Sequence, residues 1–256
     1  MSEVLTERTD AGVALLRLNR PDTRNALTVE MRGALADAVN GLVADDSVRA
    51  IVVAGSEKVF AAGADLAELS QRTLADIQSP QAFAAAQAFD SCRKPIIAAV
   101  NGAALGGGCE LALRCDMVIA GEGASFGFPE VRFGMLPGAG GAQRFVRAAG
   151  RHRASRYLMT GQAIPAPLAF ELGLVSEVVA DGEVLRHALN LAARVAALPP
   201  LAIEAIKEVV RLGPDAPLEV ALALERKAFQ LLFITEDRRE GVAAYLEKRS
   251  PQFKGR

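Results

Sequence analysis

The chain has 256 residues, 51% hydrophobic and 23% charged, which is the balance of a folded globular protein and not of a disordered one. Its 29 Lys plus Arg and 30 Asp plus Glu leave a net charge of −1, so no global positive field exists to gather nucleic acid or an anionic membrane. No run approaches ~18 consecutive apolar residues, so no membrane span is expected.

The opening residues to Asp10 are polar and acidic, and the run Gly12 to Leu18 reads as the first strand, broken by Arg20-Pro21-Asp22. Thr28 is placed to N-cap a helix, with Glu30 in its first turn and Met31, Leu35, Val39 and Leu42 at helical spacing behind it. Ala50 to Ala54, Pro95 to Val100 and Met117 to Ala120 read as buried strands. Between and after them, Gly106 to Arg114 and Gly138 to Arg147 read as helices entered through glycines, while Gly161 and Gly173 mark helix ends. Strands alternating with helices define an α/β class. Pro199-Pro200 is the clearest break, and beyond it the pattern is helical to Arg249. The expected organisation is an α/β body over residues 1–196 and a helical region over 197–256, with no internal repeat visible by inspection.

The side chains narrow the chemistry. Cys92, Cys109 and Cys115 have no disulfide-like or CxxC spacing and no signal peptide precedes the first strand, which reads as a reducing, cytoplasmic setting. The only histidines, His152 and His187, stand beside arginines on helices and read as solvated helix faces, which disfavours Ser-His, Cys-His and histidine-rich metal chemistry. Tryptophan is absent and aromatics are 5%, so stacking on nucleic-acid bases has little support.

Three loops stand out. In Phe60-Ala61-Ala62-Gly63-Ala64-Asp65-Leu66 small residues let a ligand approach the backbone, and Asp65 is placed to cap the next helix. In Asn101 to Glu110, three consecutive glycines precede a helix and expose N–H donors at its positive end, suited to a phosphate or a developing oxyanion. Neither a P-loop nor a GxGxxG dinucleotide motif is present there. In Phe126-Gly127-Phe128-Pro129-Glu130, followed by Gly134 and Pro137 to Gly141, a glutamate follows proline in an apolar stretch. Glu110 opens an equally apolar helix. Singly, either carboxylate reads as a surface or ion-paired group; two of them, each tied to a glycine-rich donor loop, point to acid–base chemistry.

The stretch Lys94-Pro-Ile-Ile-Ala-Ala-Val-Asn-Gly-Ala-Ala-Leu-Gly-Gly-Gly-Cys-Glu110 resembles the signature of the crotonase (enoyl-CoA hydratase/isomerase) superfamily. So do Ser125 to Glu130 with Gly134 and Pro137 to Gly141 behind it, Phe60 to Asp65, and the late run Glu236 to Arg249; the resemblance extends from Asn19 to Phe253. It implies a spiral of ββα units followed by helices that mediate trimer formation, with trimers pairing into hexamers. By position it implies oxyanion donors at the Ala64 and Gly107 amides, a water held between Glu110 and Glu130, and a further backbone donor to that water at Gly138. Coenzyme A recognition is implied for Arg24 and Ala26 in the loop reaching Leu27, for Ala62, Ala64, Asp65 and Leu66, and for Tyr245 and Lys248 of a neighbouring subunit's tail. No metal or redox cofactor is implied, since coenzyme A is part of the substrate.

The implied reaction adds water across the 2,3 double bond of a 2-enoyl-CoA in fatty acid or related acyl-CoA degradation. Glu110 accepts a proton as water attacks C3, and Glu130 supplies the proton at C2. The rivals are a 3,2-enoyl-CoA isomerase, a specialised branched-chain hydratase of the methylglutaconyl-CoA type and, in another class, a non-catalytic acyl-CoA binder. Two positions depart from the resemblance. Ala67-Glu68 replaces a frequent lysine, and Phe128 replaces a frequent glutamine, which is expected to make the pocket beside Glu130 more apolar. The alanine- and glutamine-rich stretch Ser70 to Ser91 is expected to line the acyl pocket.

Overall fold

The computed structural model describes residues 2–256; Met1 lies outside them. The chain begins with β1 (Val4–Arg8) antiparallel to β2 (Val13–Leu18). The strand predicted over Gly12 to Leu18 is therefore β2, and an earlier one stands within the polar opening. Hydrophobic patterning does not reveal β1 because it is an edge strand with only Val4 buried; its backbone ladder to β2 holds it.

Next come α1 (Val29–Val43), β3 (Ala50–Ala54), β4 (Val59–Ala61) and three short helices, α2 (Leu66–Leu69), α3 (Leu74–Gln78) and α4 (Ala84–Ser91). They are followed by β5 (Ile96–Val100), β6 (Ala103–Leu105), α5 (Gly107–Ala112), β7 (Met117–Gly121) and β8 (Ser125–Gly127). Thr28 caps α1 as its sequence predicts, its hydroxyl accepting from Met31 N, and Met31, Leu35, Val39 and Leu42 are the buried stripe. Each such side chain contributes about 1.5–3 kcal/mol when fully buried.

Strands β1-β2-β3-β5-β7-β10 form one sheet and β4-β6-β8-β9 a second. The order reveals a repeat in three dimensions that the residues do not spell out: β3/β4, β5/β6 and β7/β8 each place one strand in each sheet, and successive pairs lie side by side in parallel. Every residue of β3 and β5 is buried, as expected of parallel strands covered on both faces. Ile51, Val53, Ile96 and Ala98 join the core beneath α1 and α4, whereas Ala50, Val52, Ile97 and Ala99 face the later helix α9.

The rest of the body is α6 (Gly141–Ala149), α7 (Arg151–Thr160), β9 (Ile164–Pro165), α8 (Ala166–Glu171), β10 (Glu177–Val179) and α9 (Val184–Ala196). Ala188, Ala192 and Ala196 of α9 recur at one-turn spacing, which brings the helix close against the first sheet. After Pro199-Pro200 come α10 (Pro200–Leu212), α11 (Leu218–Leu232) and α12 (Glu236–Glu247). Lys207 of α10 ties back to the body by donating to Lys94 O at 2.8 Å and pairing with Asp116 at 2.8 Å. Leu218, Phe229, Ile234 and Tyr245 stay exposed, at 73%, 60%, 74% and 83%. Among the described residues no single helix is long and apolar enough to cross a membrane.

Candidate active site

The parallel order of the second sheet creates the site. β4, β6 and β8 are neighbours running the same way, so the loops leaving their C-terminal ends emerge side by side. These are the three loops singled out in the sequence: Gly63 to Asp65, Gly106-Gly107 and Phe128 to Glu130. Ligands of α/β sheets bind at such strand ends.

The first loop is stitched to the segment before α1. Leu27 N donates to Gly63 O at 2.7 Å and Ala62 N to Arg24 O at 3.0 Å. Buried Asn25 accepts from Arg20 N at 2.9 Å and donates to Phe60 O at 3.1 Å. The Asp65 carboxylate accepts from Ala67 N and Glu68 N as the N-cap of α2 and meets Arg20 at 3.4 Å. Its side chain is thus committed to structure, although the residue lines the cavity.

The second loop turns at Gly106, with φ of +49°, a conformation that disfavours any side chain. A Cβ there would also stand 2.9 Å from Glu130 Oε1. A Cβ on Gly107 would lie 3.8 Å from the Ala64 nitrogen, so the two loops bring these residues together. Among the described residues neither the Ala64 nor the Gly107 N–H has an acceptor within the chain. Two free donors at adjacent positions suit an oxyanion.

Glu110 is 5% exposed in the first turn of α5. A buried carboxylate requires donors, and its Oε1 accepts from Ala139 N at 2.7 Å and Gly141 N at 2.8 Å. Sequence reasoning picked out this glycine-rich run but assigned Gly138 alone; Gly138 lines the cavity, while the next residues hold Glu110. Glu130 is half-buried. Burial, opposed by its own backbone amide and assisted by the negative charge of Glu110, raises its pKa from the ordinary 4.5 to about 7. Its Oε2 is buried without a hydrogen-bond partner in the chain.

Glu110 and Glu130 open onto one cavity of about 670 Å³ that also meets Arg24, Ala26, Ala62, Ala64, Asp65, Leu66, Gly107 and Gly138. Ile77, Ala82, Phe83, Ala85 and Ala86 form part of its wall, so the stretch Ser70 to Ser91 does line it. Tyr245 and Lys248 do not: they lie at the C-terminal end of α12, Lys248 as a left-handed cap. Phe128 requires a correction. Its ring is 1% exposed, packs tilted against Phe145 with centroids 5.8 Å apart and fills the core behind Gly141, outside the cavity wall. The alternation of β8 carries over to Phe128 and turns it inward, which its position next to Pro129-Glu130 conceals.

The remaining nucleophiles play no part here. Burial pushes the thiols of Cys109 and Cys115 well up from their usual range, which suppresses thiolate chemistry. His187 pairs with Glu177 at 2.8 Å on the surface. Among the described residues no group of three or more His, Cys, Asp or Glu is placed to hold a metal ion.

Residues 8–256 match the family model described as enoyl-CoA hydratase/isomerase. The chain belongs to this family. It is 46% identical to the 2,3-dehydroadipyl-CoA hydratase of Escherichia coli K12, with 100% of both chains covered. It is 44% identical to a probable enoyl-CoA hydratase of Rhizobium meliloti, with 99% of each covered. In structure it superimposes on an enoyl-CoA hydratase subunit of Geobacillus kaustophilus with a TM-score of 0.94 at 42% identity, covering 99% and 98% of the two chains. These likenesses make it an enzyme of the enoyl-CoA hydratase kind with the crotonase fold, and make an acyl-CoA its class of substrate.

Proposed function

We propose that the enzyme hydrates the 2,3 double bond of a 2-enoyl-CoA to the 3-hydroxyacyl-CoA. The observation that carries this is the pairing of two differently held carboxylates on one cavity, beside two unclaimed amides. The Ala64 and Gly107 N–H groups polarise the thioester carbonyl and stabilise the enolate, an effect worth about 3–4 kcal/mol per donor in other enzymes. Glu110, oriented by Ala139 and Gly141, takes the proton from water as it attacks C3. Glu130, with a pKa near 7, gives a proton to C2. The Gly138 amide helps hold the water, and no metal or redox cofactor takes part. Arg24, Ala26, Ala62 and Leu66 receive the coenzyme A portion.

The 2,3-dehydroadipyl thioester that names the Escherichia coli relative belongs in any substrate panel, beside straight and branched 2-enoyl-CoAs. We further propose that the exposed apolar faces of α10 to α12 are covered in a trimer or dimer of trimers, where Tyr245 and Lys248 reach a neighbouring protomer's coenzyme A. Decay of the conjugated-thioester absorbance of crotonyl-CoA on adding the protein tests the reaction. Decay abolished by both Glu110→Gln and Glu130→Gln supports it, whereas binding of the panel without decay supports a non-catalytic acyl-CoA binder.

A further inference from the structure

The cavity wall contains a cation that the hydration chemistry does not use. Arg32 lies on α1, one turn before Leu35, and both line the cavity. Among the described residues its guanidinium makes no hydrogen bond or ion pair. The other cavity arginines differ: Arg114 pairs with Asp90 at 2.9 Å, Arg132 donates to Gly161 O at 3.0 Å, and Arg24 is exposed.

The carboxylates whose charge reaches Arg32 are Glu68 and Glu110, and each is held elsewhere. Glu68 Oε2 accepts from Val29 N at 3.0 Å, and its Oε1 pairs with Arg72 at 2.8 Å. Glu110 Oε1 is taken by Ala139 and Gly141. Burial lowers the Arg32 pKa from its ordinary value, and the charge of Arg72 adds to this; guanidinium nevertheless keeps its charge in proteins. A half-buried cation with no direct ion pair is stabilised by a ligand that supplies one. The same cavity wall includes Leu35, Ala82, Ala85 and Leu111, apolar surfaces among which a charge pair is stronger than in water.

We infer that Arg32 selects acyl-CoA substrates whose acyl chain ends in a carboxylate, by pairing with that carboxylate inside the cavity. This rests on the acyl-CoA hydratase reading, with thioester and coenzyme A at the Ala64–Gly107 end and the acyl chain running along α1 and the 74–91 segment. Planar guanidinium accepts a carboxylate through two parallel hydrogen bonds, and a methyl-ended chain leaves it unpaired.

The test measures dissociation constants of saturated CoA thioesters of five, six and eight carbons, each length as a methyl-ended and a carboxylate-ended member, by calorimetry on the wild type, Arg32→Met and Arg32→Lys. For at least one length the wild type should bind the carboxylate-ended member more tightly. That preference should fall at least tenfold in Arg32→Met and return in part in Arg32→Lys. Saturated thioesters do not react, so this readout stands even if no enoyl-CoA is hydrated, an outcome that removes the hydratase reading alone. A methyl-to-carboxylate ratio equal in wild type and Arg32→Met at every length overturns the inference. That result includes equal weakening of both members, which assigns Arg32 to coenzyme A phosphate or to tuning Glu110.

Discussion

The Glu110 carboxylate meets the Gly141 amide at 2.8 Å across 31 residues of sequence. The amide belongs to the first residue of α6 and the carboxylate to α5, so a helix start orients the proposed base. Gly141 has no room for a side chain: an added Cβ would collide with the Phe128 ring and stand 2.8 Å from Glu110 Cγ. Gly141→Ala should therefore push Glu110 and Phe128 apart. We expect a loss of roughly 1–3 kcal/mol of stability from overpacking, together with a kcat loss exceeding tenfold. Thermal melts and crotonyl-CoA kinetics check both; an unchanged kcat would remove the positioning role.

Glu130 should impose the alkaline limb of the activity profile. As a proton donor with a pKa of about 7, it is depleted as pH rises through that value, and kcat/KM for crotonyl-CoA should fall. Glu130→Gln should lower the rate by about 10²–10⁴-fold and leave a profile without that limb. The measurement is kcat/KM from pH 5.5 to 9; a limb near 7 that persists in the variant assigns it to another group.

The same residue should make stability depend on pH. Its pKa is higher folded, about 7, than the ordinary 4.5, so the folded state binds the proton more tightly. This contribution is fully present below 4.5, is lost as pH rises towards 7, and changes little above. Across this window Glu130→Gln should gain melting temperature relative to the wild type. A difference between the two proteins that stays constant from pH 4.5 to 7.5 contradicts the assignment.

Phe128→Gln should act on stability rather than on the proton chemistry. The ring is buried against Phe145, so an amide there lacks partners and should cost about 1–3 kcal/mol. Among the active fraction, the activity pH profile should stay near that of the wild type. Denaturant titration and the profile together decide; a shifted limb with unchanged stability would restore the expectation that residue 128 faces the pocket.

The exposed Phe229 and Ile234 give the test of assembly. Light scattering should show the mass of three chains or a multiple for the wild type. It should show a single chain when both residues become Glu, with KM for crotonyl-CoA raised because Tyr245 and Lys248 lose their neighbour. A wild-type protein running as a single chain would refute the trimer.

What the residues by themselves determined was local. Periodicity and capping chemistry act over a few positions, so α1 with its Thr28 cap, the buried strands β3, β5 and β7 and the helical tail could be read directly, as could three loops rich in small residues. The two glutamates stood out because a charge in an apolar run needs an explanation, and the family resemblance supplied roles for them. The tertiary structure decided what depends on which strands are neighbours. Parallel registry of β4, β6 and β8 carries three distant loops to one edge, sets Ala64 beside Gly107 and brings Ala139 and Gly141 onto Glu110. It also turned Phe128 into the core and set Arg32 on the cavity wall without a direct ion pair, Glu68 being held by Val29 and Arg72. Such relationships join residues tens of positions apart, and no short-range pattern encodes them.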